Sequence, residues 1–176
     1  MKRYDLMNQV NARGTYLTSK ACIPHLKQAA NPHVLMLSPP LDMNPRWFSG
    51  HTAYSMAKYG MSMCVLGMSA EFKDDGIAFN ALWPRTGIAT AAIQFALAGE
   101  AGMRQCRTVD IMADAAHAIF MKDAKAFTGN FLIDDSFLYD EGERDFDKYK
   151  VDPTAALMPD FFVPESSKPP PGVKIG

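Results

Sequence analysis

Two short, uninterrupted apolar runs constrain the fold of this chain more than any other feature. The first is HVLML at residues 33–37, and the second is IAFNALW at residues 77–83. A strand that is apolar along its whole length must be covered on both faces, which is typical of parallel sheets lying between two layers of helices. Proline closely follows each run, where its missing backbone N–H ends regular pairing. We therefore predict two buried parallel strands.

Helical periodicity fills the sequence around these two runs. The predicted helices cover residues 4–28, 52–73, 90–97 and 108–121, and a last strand covers residues 128–133. Helices that alternate with buried strands predict a doubly wound, Rossmann-like α/β sheet with right-handed crossovers.

Length and composition favour one globular domain with a short tail. The 176 residues are 48% hydrophobic and 21% charged, which is typical of a folded protein. We predict a single domain over residues 1–160. Residues 161–176 form a proline-rich tail, expected to be extended or disordered except where Phe161 and Phe162 anchor it.

The charge and hydropathy patterns argue against several classes of partner. A formal net charge of −1 without a basic run gives no reason to expect a nucleic-acid or anionic-membrane partner. No stretch approaches the roughly 20 apolar residues of a membrane span, and the first residues lack the apolar core of a signal peptide. We expect a cytoplasmic protein, with a mitochondrial or peroxisomal location as the alternative.

The cysteines and histidines do not have the spacing of a metal site. The three cysteines lie singly within apolar or helix-like stretches, which favours reduced core thiols over a zinc site or disulfide framework. The four histidines are not spaced with cysteines or carboxylates as ligands on one element would be. We predict no metal site.

Tyr54 and Lys58 form the pair most suggestive of chemistry. Positions four apart share one helix face, so this spacing brings a phenol and an ammonium to the same side of the second helix. A free tyrosine has a pKa of about 10 and is a poor base near neutrality, but a nearby cation stabilises the phenolate. Taken alone the pair is weak evidence, because such pairs occur by chance on many helices.

Three further polar residues have both a functional and a structural interpretation. Ser38 ends the first strand, at the sheet edge where active sites of this fold lie. In the functional interpretation its hydroxyl donates to a substrate carbonyl. In the structural interpretation Ser38 forms a turn with the prolines that follow. Asn11 and Asn80 stand among apolar neighbours. Each is either a structural hydrogen-bonding residue, the commoner case, or part of a proton relay.

In combination, these residues resemble the C-terminal two-thirds of a short-chain dehydrogenase/reductase. The resemblance implies a Rossmann-like sheet that lacks the N-terminal nucleotide-binding strands of the complete fold. The narrower resemblance is to the hydroxysteroid-dehydrogenase-like subgroup. Five segments carry it: TYLTSKACIPHLK, LSPPLDMNPRWF, AYSMAKYGMSM, ALWPRT and FTGNFLID. The resemblance implies NAD(P)-dependent interconversion of a small-molecule alcohol and ketone.

The same resemblance implies a role for each site residue. Tyr54 would be the acid/base, and Lys58 would lower the pKa of Tyr54 and hold the nicotinamide ribose. Ser38 would polarise the substrate oxygen, and Asn11 would position a water on the proton path. The residues implied to meet the nicotinamide and pyrophosphate are Pro84, Ile88 and Thr90.

The chain departs from the family pattern in ways that qualify these expectations. It contains no Gly-x-x-x-Gly-x-Gly turn, so it is expected to be truncated and to bind the dinucleotide weakly, with no basis for choosing NAD or NADP. Arg85 replaces the usual glycine after Pro84; it either lies near a phosphate or is solvated. Trp47, Phe48 and residues 93–97 either line an apolar substrate pocket or pack as a lid.

A second hypothesis is a catalytically inactive binding or dimerisation module. In folds of this kind the two long helices often pair with those of a second subunit, and the methionine-rich face of residues 56–68 suits such contact. We expect a homo-oligomer formed through these two helices.

Overall fold

The computed structural model describes residues 1–97 and 99–176, and the side chains at 96 and 97 also lie outside the described part. The contacts divide the chain into two units. The first comprises Met1–Leu82 and Phe120–Leu132, and the second comprises Trp83–Ile119 and Ile133–Gly176. Each unit is described by itself below.

The elements follow the predicted alternation of helices and strands. The helices are α1 (Lys2–Asn8), α2 (Gly14–Leu26), α3 (Thr52–Glu71), α4 (Gly99–Arg104), α5 (Asp110–Phe120) and α6 (Asp134–Asp140). The strands are β1 (His33–Met36), β2 (Ala78–Trp83) and β3 (Phe131–Ile133). Among the described residues, two π-helical segments occur at Gln9–Arg13 and Ile93–Leu97, and two 3-10 turns occur at Pro45–Trp47 and Asp147–Tyr149. The π-helical segment at Gln9–Arg13 joins α1 and α2 into one continuous helical stretch.

The sheet is parallel and has β2 at its centre. The strand order is β1-β2-β3, and β1 runs parallel to β2 with His33 opposite Ala78. On the other side of β2, the Gly129 N–H donates to the Phe79 carbonyl and the Ala81 N–H to the Asn130 carbonyl, both at 2.8 Å. Every residue of β2 is buried. The prediction of a parallel α/β sheet from uninterrupted apolar runs is therefore confirmed.

The core of the first unit lies where α2 and α3 pack against the sheet. Its buried members are Ile23, Met36, Val65, Met68, Ile77, Phe79 and Ala81. Burying a side chain such as Val or Ile contributes about 1.5–3 kcal/mol relative to leaving it exposed. The helical periodicity of α3 therefore has a packing cause, because Val65 and Met68 lie on the face that meets this core.

The second unit is organised around α5, α6 and the tail. Helix α5 buries Ile111, Ala115 and Ile119 on one face. In the tail, Phe162 is completely buried and packs edge-on against Trp83, with ring centroids 5.8 Å apart. The tail is thus anchored at the expected aromatic pair, and further hydrogen bonds reach as far as Gly176.

The structure differs from the sequence-based expectation at the last strand and just after it. Strand β3 begins at Phe131 rather than at residue 128, because Thr128 instead accepts the Phe79 N–H with its side-chain oxygen at 3.0 Å. Helix α6, which follows β3 directly, was not predicted. It begins with two aspartates, Asp134 and Asp135, which are completely buried. The polar sequence there reflects a buried charge cluster rather than an exposed loop.

Candidate active site

Helix α3 holds the loop that follows β1 by a row of side-chain hydrogen bonds. Ser55, Tyr59 and Ser62 donate to the backbone carbonyls of Trp47, Asp42 and Pro39, respectively. These donors recur at helical spacing, so one face of α3 is devoted to fixing the loop. The loop between β1 and α3 is therefore a rigid part of the site.

Ser38 lies in this loop between two residues whose carbonyls accept hydrogen bonds from α3. The Lys58 Nζ donates to the carbonyl of Leu37 at 3.2 Å, and Ser62 Oγ donates to the carbonyl of Pro39 at 2.7 Å. The residues on either side of Ser38 are thus tied to α3. Ser38 itself is completely buried, and its Oγ has no hydrogen-bond partner among the described residues. A buried hydroxyl in that condition has hydrogen-bonding capacity that a ligand oxygen can use.

Two tyrosines on α3 have opposite environments. Tyr54 is 37% exposed, whereas Tyr59 is 2% exposed and donates to the Asp42 carbonyl at 2.6 Å. Burial raises the pKa of Tyr59, and the nearby Asp42 raises it further, while its hydrogen bond to the Asp42 backbone lowers it. Tyr59 therefore remains a protonated structural donor at neutral pH. Of the two, Tyr54 is the tyrosine whose side chain is accessible.

Asn11 lies on the π-helical segment that packs against α3. Its Nδ2 donates to the Met7 carbonyl, one helical turn earlier, at 2.9 Å. The contact with α3 is unusually close, because a Cβ built on Gly60 would lie only 2.6 Å from the Cβ of Ala12. The absence of a side chain at Gly60 therefore lets the Asn11 segment approach the helix that carries Tyr54 and Lys58.

Asn80 has a structural role within β2. It is completely buried, its Nδ2 donates to the Phe127 carbonyl at 2.8 Å, and its Oδ1 accepts the Asn130 N–H at 3.0 Å. These bonds connect β2 to the segment that leads into β3. Of the two interpretations of Asn80, the structural one is correct.

The other residues expected to meet the cofactor belong to the second unit. Pro84 and Ile88 are half-buried and Thr90 is exposed, so all three are at least partly accessible. Between them, Thr86 is completely buried and its Oγ1 has no hydrogen-bond partner among the described residues. The residue pattern did not single out Thr86, because the burial of its side chain depends on segments that are distant in the chain.

Both sequence-based interpretations of Arg85 are wrong. Arg85 is 2% exposed, so it is not solvated. Its guanidinium donates to Asp135, Ser136 and Ser167, so it is committed to protein groups rather than to a phosphate. The physical reason is the pair of acidic residues at the start of α6, which supplies the buried countercharge.

The aromatic residues expected to line a substrate pocket lie in two different environments. Trp47 is 7% exposed and its Nε1 donates to Asp42 Oδ2 at 2.8 Å, which favours packing within the loop over lining a pocket. Of the predicted lining residues 93–97, Phe95 is 80% exposed. The side chains at 96 and 97 lie outside the described part of the chain. Within the described ranges, no three His, Cys, Asp or Glu side chains cluster as metal ligands, and no helix is long and apolar enough to cross a bilayer.

Comparison with known proteins gives a consistent result. No family model matches the chain. Hydroxysteroid dehydrogenase-like protein 2 of Danio rerio is 60% identical over 163 residues, which cover 93% of this chain and 39% of that protein. A candidate dehydrogenase from Xanthomonas campestris is 53% identical with a TM-score of 0.89, over 94% of this chain and 60% of that chain. A short chain dehydrogenase from Mycobacterium thermoresistibile is 44% identical with a TM-score of 0.88, over 100% of this chain and 61% of that chain.

The resemblance to the short-chain dehydrogenases is confirmed. Both the sequence relatives and the solved structures carry the dehydrogenase description that the Tyr54 and Lys58 segment suggested. This dehydrogenase-like chain spans about two fifths of the length of the curated relatives it matches and about three fifths of the two solved chains. The activity of the whole protein is therefore a matter for proposal.

Proposed function

We propose that this chain carries the catalytic residues of an NAD(P)-dependent oxidoreductase that interconverts a small-molecule alcohol and ketone. One observation carries the proposal. Helix α3 presents an accessible Tyr54 one helical turn from Lys58, and the Lys58 amine donates to the backbone next to Ser38. The Ser38 hydroxyl has no hydrogen-bond partner among the described residues. An acid/base, a cation and a hydrogen-bond donor are the groups that alcohol oxidation needs in one place.

Each residue has a defined part in the proposed reaction. In the oxidation direction, Tyr54 Oη accepts the proton of the substrate hydroxyl while Ser38 Oγ donates a hydrogen bond to the same oxygen. The Lys58 ammonium stabilises the phenolate form of Tyr54, and Asn11 positions a water that carries the proton onward. When bound, the nicotinamide supplies the acceptor or donor of the hydride.

The described residues fit one end of such a cofactor. Lys58 is half-buried and its ammonium carries donors that suit the ribose hydroxyls. The resemblance assigns the nicotinamide carboxamide and pyrophosphate to Pro84, Ile88 and Thr90. The 176 residues contain no glycine-rich turn to cradle the pyrophosphate. We therefore propose that this chain by itself binds the dinucleotide weakly.

A second candidate function is a subunit contact without catalysis. Helix α3 exposes Met56, Met63 and Leu66 at 49–56% of their surface, and the first helical stretch exposes Val10 and Leu17. Exposed apolar rows of this kind mark interaction surfaces. They support a homo-oligomer formed through the two long helices. A monomer at all concentrations in sedimentation analysis would argue against this candidate.

Replacing Tyr54 by Phe separates the two candidates. In the natural full-length protein, we expect Tyr54→Phe to lower turnover about a thousandfold, because general acid–base catalysis contributes on the order of 10²–10⁴. The dinucleotide dissociation constant should stay within about twofold, since the ring remains. The matched control is Tyr16→Phe, an exposed tyrosine on α2. Full activity in Tyr54→Phe would leave only the subunit-contact function.

A further inference from the structure

We propose that residues 157–167, here called the strap, set the geometry of the cofactor-facing segment at residues 84–90. Arg85 of the segment and Ser167 of the strap are the positioning residues, because they are hydrogen-bonded to each other. The proposal rests on the proposed function, which places Ile88 and Thr90 against the nicotinamide end of the cofactor. It assigns the tail of the second unit a part in dinucleotide affinity.

The strap pairs with the segment through backbone hydrogen bonds. The Gly87 N–H donates to the Met158 carbonyl and the Asp160 N–H donates to the Arg85 carbonyl, each at 2.9 Å. Thr86 and Pro159 lie opposite each other in the antiparallel sense. The strap therefore forms a short ladder along one edge of the segment, and its position fixes the path of residues 85–87.

The opposite edge of the segment is also held. The Arg107 N–H donates to the Gly87 carbonyl at 2.9 Å, and the Ala89 N–H donates to the Arg107 carbonyl at 2.8 Å. A Cβ built on Gly87 would lie 2.9 Å from Cys106 Sγ and 2.9 Å from Met158 Cε. Gly87 is thus enclosed from both sides, and the segment has little room to move while the strap is in place.

Arg85 joins the far end of the strap to the same segment. Its Nη1 donates to the Ser167 carbonyl and its Nη2 to Ser167 Oγ, each at 2.9 Å. Its Nε donates to Asp135 Oδ1 at 2.6 Å and its Nη2 also donates to Ser136 Oγ at 2.5 Å. One buried guanidinium therefore ties the strap to the start of α6, using the fork geometry that suits several acceptors at once.

An aromatic contact secures the middle of the strap. Trp83 Nε1 donates to the Phe161 carbonyl at 2.6 Å, and the neighbouring Phe162 is completely buried. Phe162 has a φ of +69°, a left-handed conformation that is unfavourable for a bulky residue. Such a conformation persists only where the surrounding contacts hold it. Hydrogen bonds and buried aromatic packing therefore hold the strap against residues 83–87.

The test compares Ser167→Ala with Ser166→Ala in the natural full-length protein. Ser166 is exposed and adjacent in the chain, so its variant is a matched control. The readouts are the dinucleotide dissociation constant from fluorescence titration and hydrogen exchange at the Gly87 and Ala89 amides. Removing a hydrogen bond to a charged group should raise the dissociation constant about threefold to tenfold and speed exchange at both amides. Ser166→Ala should change neither.

A second variant, Arg85→Lys, tests the proposal if loss of the Ser167 hydroxyl alone changes the dinucleotide affinity too little to measure. Arg85→Lys keeps the charge but cannot reach Ser167, Ser136 and Asp135 together, so we expect a larger loss of affinity than in Ser167→Ala. Unchanged exchange and affinity in both variants would overturn the proposal. If the wild type binds no dinucleotide, the proposed function fails, while the exchange rates at Gly87 and Ala89 still show whether the strap holds the segment.

Discussion

Helix α3 and the second unit both carry charged or titratable side chains, but in opposite environments. The buried cluster of the second unit consists of Arg85, Arg107, Asp134 and Asp135. Tyr54 is 37% exposed and Lys58 is half-buried. In the second unit, Arg85, Arg107 and the two aspartates of α6 are exposed by 2% or less. Accessible groups can act on a ligand, whereas buried charges must be satisfied by one another. Under the proposed function, the reacting groups belong to α3, whereas the buried cluster supports the fold of the second unit.

The buried cluster is well paired around Asp135. Its two carboxylate oxygens accept from Arg85 Nε at 2.6 Å and from Arg107 Nη1 at 3.0 Å. Asp134 instead accepts two backbone N–H groups, those of Arg85 and Asp135. Burial first and the charge of Asp135 second raise the pKa of Asp134 to about 7, although Arg107 and the two backbone hydrogen bonds lower it. One member of the cluster therefore titrates near neutrality.

Breaking a buried pair should have the largest effect on stability. We expect Arg107→Met to lower the free energy of unfolding by about 3–5 kcal/mol, because it removes one of the two cations that face Asp135. The measurement is denaturant unfolding followed by circular dichroism. The control is Arg104→Met, since Arg104 pairs with Asp152 but is 68% exposed, and its loss should cost less than about 1 kcal/mol. Equal effects of the two variants would contradict the contrast between buried and exposed pairs.

The titration of Asp134 should appear as a pH dependence of stability. Its pKa is raised from 3.8 to about 7 on folding, so the folded state keeps a proton that the unfolded state has lost. This contribution makes the wild type less stable as pH rises from about 4 to 7, by up to roughly 4 kcal/mol. Asp134→Asn resembles the protonated carboxyl and should flatten that dependence.

Unfolding at several pH values between 4 and 8 checks this prediction. The control is Asp147→Asn, whose carboxylate is 82% exposed, and it should keep the wild-type pH dependence. Parallel curves for the wild type and Asp134→Asn would show that Asp134 stays ionised in the folded protein.

The smallest predicted effects concern two glycines of α3. Replacing a helix-interior glycine by alanine gains about 1 kcal/mol of helix propensity. At Gly60 the new Cβ would lie 2.6 Å from Ala12, and overpacking costs about 1–3 kcal/mol, so Gly60→Ala should destabilise by about 1 kcal/mol. At Gly67, no atom of the described residues outside the adjacent helix backbone lies within 4 Å of a Cβ built there, so Gly67→Ala should stabilise the protein. The melting temperatures of both variants check this prediction. Stabilisation by Gly60→Ala as well as by Gly67→Ala would contradict the close approach of Ala12 to Gly60.

The sequence predicted the fold well because its strongest signals were local. The uninterrupted apolar runs of β1 and β2 and the periodicity of α3 match the observed elements closely. The Asp134-Asp135 pair that opens α6 was unpredictable, because its partners Arg85 and Arg107 lie far away in the chain. Arg85 was misinterpreted for the same reason. A single sequence does not show which distant charge makes an arginine buried.

The candidate site was predicted in part for a similar reason. Tyr54 and Lys58 lie on one helix, so their spacing alone places them on one face. The relation of Ser38 to that helix depends on hydrogen bonds from Lys58 and Ser62 to its neighbours, which the spacing does not reveal. The close approach of the Asn11 segment depends on Gly60, whose role appears only when both helices are placed together.

The most direct test is a crystal structure of the natural full-length protein with a bound nicotinamide dinucleotide. The account predicts that Lys58 Nζ lies about 3 Å from a ribose hydroxyl, with Tyr54 Oη and Ser38 Oγ both facing the nicotinamide. The oxidoreductase assignment would be contradicted if the dinucleotide bound elsewhere and the Lys58 amine kept its hydrogen bond to the Leu37 carbonyl without contacting the ribose.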